Sequence, residues 1–264
     1  MLSSRRSRRL SVLRQRTSFA ISHDFSERAN LTDYPELMDE PCDYEDLRAC
    51  YRSIASVNRL TWAYQPTIHW LDHVYWALPR QLKPLRIVDV GCGYGDMLRR
   101  VHEWAVEKQM PVELVGIDVN PDAIRAAREV TVPGTVTFLA GHAADYAPPG
   151  GIDLVISSLL THHMENPEIV DFLDWMESAA RLGWFINDLH RQPMPYNVFR
   201  IASRFTTWHP FVKHDGPVSI LRSFREEDWR FLCRAAAIPE DEYILREYRP
   251  ARLCVARLRS LVKT

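Results

Sequence analysis

The stretch Arg86–Asp96, RIVDVGCGYGD, limits the fold of this chain more than any other. An apolar run carrying one acid, Asp89, enters three glycines, Gly91, Gly93 and Gly95, at every second position. Short apolar runs bounded by turn signals are buried strands, and glycines let backbone pass close to a ligand. A second apolar run, LVGIDVN from Leu114 to Asn120, contains Asp118 near its end. A carboxylate closing a second parallel strand can accept hydrogen bonds from both hydroxyls of a ribose. Together the two runs predict a nucleoside-containing cofactor.

The glycine spacing narrows the choice. A nicotinamide dinucleotide fold uses Gly-x-Gly-x-x-Gly, which sets a helix N-terminus against a pyrophosphate. Position 96 would then be glycine, but it is Asp96, and a carboxylate there repels a diphosphate. No Gly-Lys-Ser/Thr follows, so a P-loop is excluded. Asp89 beside the turn suits a cationic amino group instead.

Through VDVGCGYGD and GIDVN, the chain resembles the class I S-adenosylmethionine-dependent methyltransferases over roughly Leu85 to Leu258. The resemblance implies S-adenosyl-L-methionine as cofactor. It places Asp89, Gly91, Cys92, Gly93 and Gly95 around the methionine portion and Asp118 at the ribose. Val119 or Asn120 would lie beside the adenine, and His142 and Ser157 complete the expected set. The family's third motif often reads Gly-Asp-Ala; here it is Gly141-His142-Ala143, with His142 in the acid's place and Asp145 nearby. The implied fold is α/β, a doubly wound, mostly parallel, seven-stranded Rossmann-like sheet.

Hydrophobic periodicity agrees with that class. Apolar residues recur at helical spacing from Tyr44 to Leu60, and Pro66 opens a second helix running to about Leu78. These helices precede the first strand, Leu85–Val90, and a cofactor domain needs no such preamble. Residues 31–83 are therefore read as a helical cap and 84–264 as the cofactor domain. Strands and helices then alternate, until an aromatic-rich segment, 192–224, follows the fifth strand as a substrate lid. Two extended runs, Tyr243–Tyr248 and Leu253–Leu258, suit an antiparallel hairpin at the sheet edge.

Residues 1–30 are read as a disordered tail, since six arginines and no acid fall within residues 1–16. Lys and Arg number 33 in the whole chain against 34 Asp and Glu, so without the tail the balance is acidic. No basic, aromatic-interleaved unit is present, so nucleic acid is not an expected partner. No apolar run approaches the ~20 residues that span a bilayer. Five scattered cysteines without a Cys-x-x-Cys pair suit a cytoplasmic protein with reduced thiols. Homodimerisation is left open.

In open α/β sheets ligands bind beyond the carboxyl ends of the strands. After the fourth strand the chain reads Ser157-Ser158-Leu159-Leu160-Thr161-His162-His163, and after the fifth Asn187-Asp188-Leu189-His190-Arg191. Histidine is the natural base for a hydroxyl acceptor because it titrates near neutral pH. His162 and His190 rank ahead of His163, with Asp188 as orienter, and His214 in the lid joins the pool. Metal-dependent catechol methyltransferases, which resemble this fold, use an acid after strand four with an Asp-Asn pair after strand five. This chain has serines at the first place, and His69 and His73 have no convergent third ligand, so no metal is expected. Trp62, Tyr64, Trp70, Tyr75 and Trp76, with the rings of the lid, suggest an aromatic acceptor pocket. Arg191, Arg200 and Arg222 are available to a carboxylate on the acceptor.

The wording NDLHR-x-P with HDGP-x-S-x-x-R-x-F is similar to a bacterial subgroup of small-molecule methyltransferases linked to polyketide or phenol metabolism. That likeness implies O-methylation of a small aromatic or polyketide-like acceptor. C- or N-methylation by the same machinery, and a cofactor-binding module without turnover, are the alternatives.

Overall fold

The computed structural model describes residues 23–78 and 83–259. Seven strands form one sheet: β1 (Leu85–Val90), β2 (Val112–Asp118), β3 (Thr137–Ala140), β4 (Ile152–Ser158), β5 (Ala180–Leu189), β6 (Ile244–Tyr248) and β7 (Arg252–Leu258). Their order is β3-β2-β1-β4-β5-β7-β6. The first five run parallel, and β7 lies antiparallel between β5 and β6. The expected doubly wound sheet and closing hairpin are both present.

Strand periodicity divides the core. Ile87, Leu114, Leu154 and Phe185 face one apolar cluster, while their neighbours Val88, Val115, Val155 and Ile186 face the other. The second cluster is closed by α5 (Asn166–Ala179) and α8 (Glu226–Ala235), through Ile169, Leu173, Met176, Trp229 and Leu232. The first is closed by α2 (Gln65–Ala77), α3 (Asp96–Glu107) and α4 (Pro121–Val130). Local chemistry fixes the helix starts. Asn120 Oδ1 caps α4 by accepting from the amides of Asp122 (2.9 Å) and Ala123 (3.4 Å), with Pro121 behind it.

The cap expected over 31–83 divides into two roles. Helix α2 belongs to the sheet layer: Ile68, Leu71 and Val74 are buried against it, and Trp70 stacks on Phe185 at 5.2 Å. Its apolar residues recur at three- and four-residue spacing, which gives a helix one face to lay on a sheet. Helix α1 (Tyr44–Leu60) alone covers the glycine turn, where Tyr51 stacks parallel to Tyr94 at 6.1 Å. The segment after β5 forms α6 (Pro193–Ala202) and α7 (Pro210–Arg222), which pack on each other. Gly216 sits inside α7 because a Cβ there would lie 2.1 Å from the Phe199 ring of α6.

The arginine cluster lies outside the described residues. Residues 23–30, assigned to the same tail, are instead built into the molecule. The Arg28 guanidinium stacks over Phe224 at 4.6 Å and donates to the carbonyls of Arg222 (2.6 Å) and Met164 (2.6 Å). One arginine with five donors can satisfy a loop's stranded carbonyls, a role that no local periodicity announces.

Candidate active site

Cofactor side. The turn after β1 puts Gly91, Gly93 and Gly95 at positive φ. A Cβ at Gly95 would lie 2.6 Å from the Phe138 ring, so both conformation and space demand glycine. Asp118 ties this turn to β2: its Oδ2 accepts from the Gly93 amide at 2.8 Å and its Oδ1 from the Asn120 amide at 2.9 Å. Burial raises the Asp118 carboxyl above its ordinary range, against the pull of those amides and of His163. Asp89 is buried, and its Oδ1 has no hydrogen-bond partner. Burial, reinforced by Asp96 and Asp118, pushes its carboxyl well above the ordinary value. A buried anionic oxygen without a partner suits a cation that arrives from outside.

The remaining cofactor candidates separate by what they touch. A cavity of about 260 Å³ beyond β2 and β3 is lined by Ile117, Leu139, Gly141, His142, Asp145 and Tyr146. Val119 is exposed, whereas the Asn120 side chain is engaged in capping α4. Cys92 is buried, its Sγ 2.8 Å from where a Cβ on Gly116 would stand, so it fills space beneath the turn. Ser157 Oγ donates to the Val90 carbonyl at 2.9 Å and acts as a strut between β4 and β1. Asp96, the residue that argued against a diphosphate, accepts from Tyr64 Oη (2.7 Å) and Asn58 Nδ2 (3.1 Å). The glycine turn is thereby fastened to α1 and to the residue preceding α2.

Acceptor side. Of the four catalytic candidates, the structure brings two together. His162 Nδ1 stands 2.7 Å from Asp188 Oδ1. Asp188 also accepts from the Thr161 hydroxyl (2.5 Å) and from the amides of His162 (3.1 Å) and Leu189 (2.7 Å). Burial alone would raise the Asp188 carboxyl, but His162 and these donors hold it far below the usual range. His190 lies apart, with Nδ1 3.0 Å from Gln192 Nε2 and 3.7 Å from Glu247, and burial lowers its pKa. His190 falls one residue past the end of β5, where it forms an isolated bridge with Phe224 and leaves the line of Asp188. His214, expected in the lid, sits within α7, paired with Asp215 at 2.7 Å. Asp215 in turn accepts from the amides of Leu37 (2.8 Å) and Met38 (3.1 Å).

Sequence reasoning missed the residues that complete this wall. Glu36, only 1% exposed, reaches between two histidines: its Oε1 is 3.9 Å from His162 Nε2 and its Oε2 is 3.8 Å from His163 Nε2. Asp39 Oδ1 is 3.2 Å from His163 Nδ1. Burial works against a charged His163, yet Glu36 and Asp39 outweigh it and raise the pKa. Nothing in the spacing of Glu36 and Asp39 marks them, because their partners lie well over a hundred residues away. His163, ranked below His162 and His190, is the one whose field reaches Asp118.

Two of the three arginines offered to an acceptor carboxylate, Arg191 and Arg222, are already engaged, and Arg200 is exposed on α6. Arg222 Nη1 is 3.3 Å from both Glu36 Oε1 and Asp39 Oδ2. Arg191 donates to the carbonyls of Ser223 (2.5 Å) and Phe25 (3.0 Å) and pairs with Asp228 at 2.9 Å. Asn187, half of the catechol-type pair, ties the start of α2 to the sheet by donating to the Ala63 carbonyl (2.8 Å) and to Thr67 Oγ1 (3.0 Å). The expected aromatic pocket is dispersed: Trp70 is in the core, whereas Trp62, Trp76 and Phe205 are exposed. Large rings at helical spacing served packing in one case and the surface in the others.

Comparison with known proteins agrees with this geometry. Residues 87–183 match the family model for a methyltransferase domain. The chain is 24% identical over 210 residues to trans-aconitate 2-methyltransferase of Rhodopseudomonas palustris strain BisB18, covering 66% of this chain and 79% of that one. It is 29% identical over 121 residues to ajmaline N-methyltransferase of Rauvolfia serpentina, covering 43% of this chain and 39% of that one. The plantazolicin methyltransferase BpumL, solved in complex with SAH, superposes with a TM-score of 0.55 at 12% identity, over 81% of this chain and 95% of its own. The CMeT domain of a citrinin polyketide synthase superposes with a TM-score of 0.52 at 17% identity, over 74% and 52% of the two chains. Motif, sheet order and family match agree: residues 87–183 match a methyltransferase domain, set in a seven-stranded sheet of the Rossmann-like methyltransferase fold.

Proposed function

We propose that the protein is an S-adenosylmethionine-dependent methyltransferase that O-methylates a small, uncharged hydroxyl acceptor. The observation that carries the cofactor assignment is the partnerless, buried Asp89 oxygen beside a turn that no side chain can fill. Asp89 would hold the methionine ammonium, Asp118 the ribose, and the cavity at His142 the adenine. Bound there, S-adenosylmethionine supplies a sulfonium methyl group and leaves as S-adenosylhomocysteine.

The residues of the opposite wall support the acceptor class. Glu36, Asp39 and Asp188 bring three carboxylates to the two rim histidines, and Arg222 is already paired with two of them. A polycarboxylate such as trans-aconitate would meet like charge there, whereas a hydroxyl finds groups able to accept its proton. Among the four expected catalytic residues, His162 and Asp188 belong to this wall, and His190 and His214 lie outside it. A tertiary amine has no proton to give up, so the proton-accepting pairs of this wall support the hydroxyl reading over N-methylation.

Calorimetry with the full chain should give micromolar S-adenosylmethionine binding and no NAD binding. A panel of phenols and neutral polyketide-like alcohols with labelled methyl donor should then show turnover. Faster labelling of trans-aconitate than of any neutral hydroxyl would overturn the acceptor class.

A further inference from the structure

We infer that Glu36, His162 and His163 form a binding site for a divalent transition-metal ion, zinc being the best match, at the acceptor side of the active site. The argument starts from ring nitrogens. Asp188 Oδ1 lies 2.7 Å from His162 Nδ1, and Asp39 Oδ1 lies 3.2 Å from His163 Nδ1. Each carboxylate accepts from Nδ1, so in the neutral ring, the form that binds a metal, Nε2 presents a lone pair. Both Nε2 atoms are aimed at one carboxylate, Glu36, at 3.9 and 3.8 Å. Three electron-pair donors thus converge, at separations too long for hydrogen bonds. A cation between them relieves that arrangement.

The donor set has the chemistry of a metal centre. Two imidazole nitrogens and one carboxylate suit zinc and its first-row neighbours, and leave a fourth position for a small oxygen ligand. Metal-binding histidines almost always give their other nitrogen to a carboxylate or carbonyl, and here both do. The three ligand atoms lie within 4.8 Å of one another. Donors ~2.1 Å from a tetrahedral metal stand roughly 3.4 Å apart, so inward shifts of roughly half an ångström close the site. Glu36 is held for this role: its Oε1 accepts from Ser219 Oγ (2.9 Å) and faces Arg222 Nη1 (3.3 Å), which leaves Oε2 turned to His163. Arg222 opposes a second cation, but Glu36, Asp39 and Asp188 outnumber it. The guanidinium of Arg28 is directed instead to the carbonyls of Thr161, His162, Met164 and Arg222 and to the Asn166 side chain.

This site replaces the sequence-based expectation of no metal, which weighed His69 and His73 and the strand-five pair but not Glu36. Its use in catalysis rests on the methyltransferase reading. A dication here would take the acceptor oxygen as its fourth ligand and lower the pKa of the hydroxyl; with His162 and His163 as ligands, the proton then passes to solvent in place of the histidine–carboxylate pairs. The metal site itself stands independently of that reading.

The test uses the purified full chain, stripped with chelator and then titrated with Zn²⁺ and, separately, Co²⁺. About one equivalent of zinc should be retained per chain, and cobalt should give the intense visible bands of a four-coordinate site. His163→Ala and Glu36→Gln should each weaken metal binding on the order of tenfold or more. The surface variant His73→Ala should bind as the parent does. S-adenosylmethionine affinity, measured on the same samples, reports the cofactor reading separately from the metal. Zinc retained at far below one equivalent, or cobalt bands unchanged by both ligand variants, overturns the site.

Discussion

The two halves of the proposed active site are built in opposite ways. The cofactor half is local: Asp89, the glycines and Asp118 lie within thirty residues, on adjacent strands that pair in parallel register. The acceptor half is assembled from distant pieces. Arg28, Glu36 and Asp39 come from the start of the described chain, His162 and His163 from the turn after β4, Asp188 from β5 and Arg222 from the end of α7. A local site tolerates changes elsewhere, whereas an assembled one fails when any of its fasteners is lost.

Substitutions can break that contrast or sharpen it. The largest effect is expected at Asp118, where alanine removes the anchor of the Gly93 amide together with the proposed ribose acceptor. S-adenosylmethionine affinity should fall on the order of a hundredfold by calorimetry, and metal binding should be unaffected. Arg28→Ala should do the reverse. It strands the carbonyls of Arg222 and Met164, so kcat/KM for the acceptor should fall roughly tenfold while cofactor affinity holds. Equal losses on both sides would show that the halves are not separable.

A smaller effect concerns pH. The Asp89 carboxyl is raised by burial, by Asp96 and by Asp118, so it is protonated over part of the range in which an ordinary carboxylate is charged. A cationic ammonium binds the ionised form. Cofactor affinity should therefore rise severalfold as pH climbs through the Asp89 pKa, and the rise should flatten in Asp89→Asn. A pH-independent affinity in the parent protein counts against the ammonium contact. The smallest effect tests the link between the halves. Tyr64→Phe removes one hydrogen bond to Asp96 and should cost about 1 kcal/mol of stability in denaturant titration, with small, equal losses in cofactor and acceptor parameters.

The contrast also explains what the sequence made legible. The strand order and the cofactor turn were readable because their signals, period-two burial, glycine spacing and a strand-ending acid, act over a few residues. Asp188 and His162 were both named, but their pairing at 2.7 Å is a tertiary fact. Glu36 carries no local signal: it follows a proline in a polar stretch, and only folding buries it. The aromatic pocket failed for a related reason, since ring content does not say which rings turn inward. Trp70 and Trp62 lie eight positions apart, yet one is core and the other is 67% exposed. Helix α2 was misassigned to the cap because its apolar stripe fits a helix as well as a sheet.

The matched family region, residues 87–183, contains the cofactor turn and both rim histidines, but not Glu36, Asp39, Asp188 or Arg222. Much of the proposed acceptor wall therefore lies outside the stretch that carries the family match. Drift in the flanks can retune selectivity while every hallmark used for classification stays intact.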